Sequence, residues 1–453
     1  MSARTEPAVT HDVVAVGIGP FNLGLACLVE PIEELNCVFL ERQPSFDWHP
    51  GMLLESATLQ TPFLADLVTL ADPTSAFSFL NYAKQAGYLY SFYIRESFHP
   101  LRSEYNDYCR WAAARLMSLR FGRDVQSITY DVDEAAYVIH VAVANGKRET
   151  YRARHLVLGT GTSPYLPAAC DGLGDDAIHS SQYLFAKPDL QTRSNIMVVG
   201  GGQSAAEIFY DLLQDIDDRR YALTWITRSM RFFPLEYTKL TLEMTSPEYV
   251  EYFHGLSPSV REELVASQGP LFKGIDSELI DDIFRLLYRK HRQGGPMTRL
   301  LTNTELTDAR PDETEGRFIL DLRHVEQDRE FTLSTEALIL ATGYRHEVPA
   351  FLAPIADRIA WDERGRFAVR RDYSIDLDGR TIFVQNAELH THGFVAPDLG
   401  MAAYRSSCII RALLGREQYP IERSIAFQEF GAPGPAPPPP SAVTVFADTG
   451  RGL

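Results

Sequence analysis

The chain has 453 residues, 45% hydrophobic and 23% charged, enough for two or three domains with cores of their own. A formal net charge of −17 argues against nucleic acid and anionic membrane surfaces as partners. There is no apolar run of bilayer length and no apolar signal segment near the first residue. The five cysteines contain no C-x-x-C pair, and together these features predict a reduced, cytoplasmic protein.

Residues 1–10 read as a disordered leader. A β–loop–α–β pattern follows over 12–42. The apolar run Val13-Val14-Ala15-Val16 leads into Gly17-Ile18-Gly19-Pro20-Phe21-Asn22, a phosphate-binding loop whose backbone N–H groups and helix N-terminus suit a pyrophosphate. The next strand ends at Glu41, at the offset where a carboxylate accepts hydrogen bonds from ribose hydroxyls. Residues 43–80 are loop-rich. Helices are predicted near 76–87 and 103–117, and strands over 124–143. The phrase Leu156-Val157-Leu158-Gly159-Thr160-Gly161 recurs as Leu338-Ile339-Leu340-Ala341-Thr342-Gly343, the pattern of strands that connect two nucleotide domains.

A second loop, Gly200-Gly201-Gly202-Gln203-Ser204, follows the apolar run Ile196-Met197-Val198-Val199. Its partner strand ends at Arg228, with Arg231 just beyond. A guanidinium there suits a 2′-phosphate, so this loop is expected to hold NADPH and the first to hold FAD. The expected fold is α/β, with two Rossmann-like dinucleotide-binding domains and a small, mostly helical substrate subdomain. The first domain is expected to run over 11–165 and return over 336–425. The second spans 190–335 and includes the helical segment 233–293. A Pro-rich disordered tail occupies 431–453. No metal-ligand spacing is present; His390-Thr391-His392 reads as a site-lining loop, with no metal.

A flavin with NADPH leaves three enzyme classes. Disulfide reductases need a redox C-x-x-C, which is missing. Of the Baeyer–Villiger signature only His179 survives in the stretch Leu173–His179. N-hydroxylating monooxygenases remain.

Several motifs together carry a resemblance. They are Phe46-Asp47-Trp48-His49-Pro50-Gly51-Met52, Leu59-Gln60, Phe63-Leu64-Ala65-Asp66-Leu67, Asp72-Pro73-Thr74-Ser75, the Gly200 loop, Leu340-Ala341-Thr342-Gly343-Tyr344 and Thr391-His392-Gly393. Over roughly 12–420 the chain resembles the bacterial lysine/ornithine N-hydroxylases of siderophore synthesis. The resemblance implies that FAD, NADPH and O₂ convert a neutral primary amine to a hydroxylamine, in a homotetramer. It implies that His49 tunes the flavin and Gln60 lies over its ring. It further places Gly17, Gly19, Pro20, Asn22, Glu41, Trp48, Gly200, Gly202, Gln203, Ser204, Arg228, Arg231, Thr342, Gly343, His392 and Gly393 around the cofactors.

The chain departs from the amino-acid hydroxylases at two positions. Ala65 stands where they carry a lysine for the substrate carboxylate, and Leu242 where they carry a polar residue. This pattern resembles the diamine hydroxylases that act on cadaverine or putrescine, with Glu243 or Glu388 as acceptor for the distal ammonium. L-Lysine or L-ornithine is the alternative substrate, and an uncoupled NADPH oxidase the alternative activity.

Overall fold

The computed structural model describes residues 9–174, 177–295 and 298–433. The leader over 1–8 and the tail beyond 433 lie outside the described residues.

Two sheets, one mixed and one wholly parallel, organise the chain. In the first, Thr10–Val16 pairs in parallel with Cys37–Glu41 on one side and Arg148–Leu158 on the other. Leu119–Phe121 extends one edge, and an antiparallel hairpin, Arg123–Asp131 and Ala136–Val143, extends the other. Ile382–Val384 returns late in the chain to pair in parallel with Arg148–Leu158. The four residues Val13–Val16 are buried on both faces, as a run without alternation requires. Helix Pro20–Val29 starts directly after the turn at Gly17, with proline at its first position, where no N–H is needed.

The second sheet has the order Thr298–Leu301, Ala222–Ile226, Asn195–Val199, Ala337–Leu340, Ile178–His179, all parallel. Helix Gln203–Arg219 follows its central strand and buries one face, including Ile208, Phe209, Leu212 and Ile216. A three-stranded antiparallel sheet, Thr304–Asp312, Arg317–His324 and Arg329–Thr335, packs on this unit through Leu320 and Leu322.

Three expectations need correction. Ala337–Leu340, assigned to the returning first domain, pairs with Asn195–Val199 and completes the second sheet. The second unit begins at Ile178 rather than at 190, because Ile178–His179 forms its edge. The segment 233–293 is helical but not an independent body. Helix Ser277–Arg292 packs Ile283 and Leu286 into the core around helix Gln203–Arg219. Helix Pro247–Gly255 instead joins Tyr249, Val250 and Phe253 to Phe394, Val395 and Met401 of the returning chain. The two crossings between units run side by side: Tyr344–Arg345 pairs antiparallel with Ser163–Pro164. Among the described residues no helix is long and apolar enough to cross a membrane.

Candidate functional site

Both glycine loops end a parallel strand and open a helix. Gly17 has φ +89°, and a Cβ there would fall 2.4 Å from Gly159 O; at Gly200 a Cβ would fall 2.2 Å from Ala341 O. These glycines let neighbouring strand ends close together. Gly19, the residue before helix Pro20–Val29, has nothing within 4 Å of its Cβ position, so the space in front of that helix is open. The N-termini of helices Pro20–Val29 and Gln203–Arg219 carry no side-chain cap, leaving their N–H groups for an anion. This donor set fits two dinucleotide phosphates.

Glu41 also braces the first loop. Its carboxylate accepts the Ile18 N–H at 2.8 Å and the Gln43 N–H at 2.9 Å, which leaves lone pairs for ribose hydroxyls. Asn22, expected at the cofactor, faces the protein. It is fully buried; its amide donates to Gly17 O at 2.8 Å, and its oxygen accepts from Gln385 Nε2 at 2.7 Å. Its work is to tie the loop to the returning strand.

The motif residues meet between the two units. Gln60 Nε2 donates to Gln203 Oε1 at 3.3 Å. Gln203 Oε1 also accepts the Asp276 N–H at 2.8 Å, and its Nε2 donates to Glu207 Oε1 at 2.9 Å. The Gln203 side chain is therefore engaged within the protein, and its backbone N–H remains for phosphate. Glu207 is clamped in turn by Arg102, Nη2–Oε1 at 2.7 Å and Nη1–Oε2 at 2.8 Å, and Arg102 also donates to Met52 O at 2.9 Å. A continuous polar line thus runs from the His49–Met52 segment to the second loop. The sequence reading missed Arg102 and Glu207. One sequence signal existed for Glu207, which lies four residues after Gln203 on the same helix face.

His49 holds a left-handed backbone conformation, φ 51°. Its ring packs edge-on against Trp48, with centroids 5.1 Å apart, and against Tyr344 at 5.6 Å. The mass of protein around it, then the Arg102 charge, lowers its pKa to about 4, so it is neutral at pH 7. His179 also packs on Tyr344, and its Nε2 lies 3.0 Å from Gly343 O. Gly343 O also accepts the Tyr165 N–H at 2.9 Å, and the Thr342 hydroxyl donates to Tyr165 O. Thr342, Gly343 and His179 thus hold the crossing between units.

Three further expectations change. Glu388 is fully enclosed, 2.9 Å from Arg405 Nε, and accepts the Ala387 N–H at 2.7 Å; a substrate ammonium does not reach it. His392 is also fully buried, stacked on Tyr373 at 4.6 Å and against His254 at 5.2 Å, so its side chain supports the fold rather than a cofactor. Glu243 accepts from Gln428, from its backbone N–H at 3.1 Å and its side-chain amide at 3.0 Å, which ties it to the C-terminal segment.

Ala65 is buried, 5% exposed. The neighbouring Asp66 carboxylate is saturated by the Val68, Thr69 and Phe79 N–H groups and the Thr69 hydroxyl, which locks this segment in place. Leu242 ends the short helix Lys239–Leu242 and is half-buried. Gly393 has φ +79°, with Phe253 3.3 Å from its Cβ position. Ser204 lies in the first turn of helix Gln203–Arg219. Arg228 and Arg231 are exposed beyond the strand Ala222–Ile226, and the Arg231 guanidinium lies 5.3 Å from the Phe233 ring centre.

The chain is 53% identical over 421 residues to a putrescine N-hydroxylase of Shewanella oneidensis, covering 93% of this chain and 84% of that protein. The FAD-bound crystal structure of the cadaverine monooxygenase of desferrioxamine biosynthesis from Erwinia amylovora superposes with a TM-score of 0.92 at 55% identity, covering 94% of this chain and all of that one. The ornithine N-hydroxylase of Kutzneria sp. 744, with reduced FAD, NADP⁺ and L-ornithine, superposes with a TM-score of 0.83 at 30% identity, covering 90% of this chain and 99% of that one. Residues 9–346 match the family model described as L-lysine 6-monooxygenase/L-ornithine 5-monooxygenase. With two glycine-loop helices whose N-termini are uncapped, joined through Gln60, Gln203 and the paired crossings, the chain belongs to this family of N-hydroxylating monooxygenases.

Proposed function

We infer that the chain is an FAD- and NADPH-dependent N-monooxygenase that hydroxylates one primary amine of a small aliphatic diamine, putrescine or cadaverine, for hydroxamate siderophore synthesis. The observation that carries the choice of substrate is Ala65. It is buried, and it stands where the resemblance places the lysine that pairs with an amino-acid carboxylate. A carboxylate desolvated there without its cation is disfavoured by several kcal/mol. The relatives named for putrescine and cadaverine support the same choice.

Bound FAD and NADPH supply the oxygen activation and the hydride, so that amine, NADPH, a proton and O₂ give hydroxylamine, NADP⁺ and water. The protein's part is positional and electrostatic. Helix N-termini at Gly19 and Gly202 hold the phosphates, Glu41 takes ribose hydroxyls, and Arg228 takes a phosphate. Gln60, braced on Gln203 and Gly274 O, lies between the two loops. His49 presents a neutral ring to the cleft. The substrate must enter as free amine although an alkylammonium has a pKa of about 10.4, which a desolvating pocket favours.

Two coarser features belong to this reading. The resemblance implies a homotetramer, and Tyr90, Tyr93, Ile94 and Phe98 form an exposed apolar stretch that such an assembly would cover. The reading also places the enzyme in the cytoplasm, where its five free cysteines would stay reduced.

The test is hydroxylamine formed per NADPH consumed across putrescine, cadaverine, L-lysine and L-ornithine. The diamines are expected to exceed the amino acids by about a hundredfold or more in kcat/KM, about 3 kcal/mol. Coupled hydroxylation of L-lysine at equal efficiency overturns the diamine assignment, and peroxide without hydroxylamine from any amine favours the uncoupled oxidase. Ala65→Lys is expected to lower diamine turnover by placing like charge near the distal ammonium.

A further inference from the structure

The loop 272–276 lies directly over the second glycine loop. The Asp276 N–H bond to Gln203 Oε1 anchors one end, and a Cβ on Gly202 would stand 3.4 Å from Lys273 O. The Lys273 backbone is therefore fixed at the mouth of the loop. Its ammonium lies over the Phe272 ring, 5.1 Å from the centroid, close enough to Arg228 for the two cations to repel. Burial and the Arg228 charge both lower the Lys273 pKa, and among the described residues the lysines held in salt bridges are Lys187 and Lys290, not Lys273. The chain carries 60 acidic residues against 43 basic ones. Two cations left side by side without an acid, at a helix N-terminus that is itself uncapped, mark a place for an anion from outside the protein.

We propose that Lys273 and Arg228 together grip a phosphate of the nicotinamide dinucleotide bound at the second loop. Lys273 is then a binding residue supplied by a loop distant in sequence from the glycine motif. The proposal rests on the reading of that loop as the NADPH site. Two phosphate groups have the required chemistry, the 2′-phosphate beside the strand end at Arg228 and the diphosphate in front of helix Gln203–Arg219. Lys273 spans the two places: its backbone adjoins Gly202 and its charge adjoins Arg228. The flexible stem and three donors of a lysine suit either group as a point charge.

The experiment is calorimetric titration of the FAD-loaded protein with NADP⁺, NAD⁺ and 2′-AMP, for the wild type, Lys273→Met and Lys273→Arg. Flavin content and melting temperature serve as folding controls, and exposure of Lys273 predicts that both stay unchanged. Lys273→Met is expected to weaken NADP⁺ about tenfold or more, with most of the affinity restored in Lys273→Arg. Loss shared with 2′-AMP but not NAD⁺ assigns the 2′-phosphate. Equal loss on NADP⁺ and NAD⁺ with 2′-AMP unchanged assigns the diphosphate. Unaltered NADP⁺ affinity in a folded, flavin-replete Lys273→Met overturns the proposal. Wild type that binds neither dinucleotide overturns the loop reading itself, an outcome distinct from a silent Lys273→Met.

Discussion

At Asn22 and His392 the same kind of polar residue that serves ligands elsewhere is used up by the protein. Each is fully enclosed, and a buried amide or imidazole must find its partners inside. His49 is the opposite case, a ring in an open cleft with protein crowded around it. Its pKa, lowered to about 4, has a definite sign. Folding favours the neutral form, so this contribution to stability is complete above the unfolded value of about 6.5 and is lost as pH falls from there toward 4. The expected outcome is an NMR titration of the His49 ring with a midpoint well below 6. A midpoint near 6.5 would show that the ring is solvated and that Arg102 leaves it unaffected.

Among the elements, helix Gln203–Arg219 carries the most consequences. Its first residue touches Gln60 and its second turn presents Glu207 to Arg102, which opens helix Arg102–Ala113 of the first unit. The pair is bidentate and its side chains are mostly buried, at 13% and 5% exposed, so it resists solvent screening better than a surface bridge. It is expected to fix the orientation in which the second loop faces the first. Glu207→Gln should slow anaerobic reduction of the flavin by NADPH about tenfold or more, with flavin content retained. The paired exchange Arg102→Glu with Glu207→Arg should recover part of that rate. Stopped-flow absorbance of the flavin checks this, and an unaffected rate in Glu207→Gln would remove the pair from any role in hydride delivery.

On the scale of the whole molecule, two nucleotide units are joined by two crossings that pair at Tyr344–Arg345 and Ser163–Pro164. Helix Pro247–Gly255 is packed on the returning chain, so the helical segment belongs to both units rather than standing apart. The exposed Tyr90, Tyr93 and Ile94 face, each more than 70% exposed, is expected to be covered by another copy. Light scattering should report a tetramer, and Tyr93→Glu with Ile94→Glu should lower the mass. A wild-type monomer at micromolar concentration would contradict the assembly.

The sequence by itself determined what is local. Strand, glycine turn and helix are contiguous, so both loops were legible, as were Glu41 and Arg228 at the following strand ends. The absence of a charge at Ala65 was legible too, because comparing a motif needs no coordinates. The tertiary structure decided everything that depends on which side chains meet across long separations. The Arg102–Glu207 bridge spans 105 residues and the Asn22–Gln385 bond 363, and no periodicity encodes such pairs. Glu388 looked available beside a glycine motif and proved to be the buried partner of Arg405. Ala337–Leu340 reads like its twin near Gly159 but pairs in the second sheet, and the sequence does not tell the two apart, because an apolar strand carries no mark of its neighbours until the chain packs.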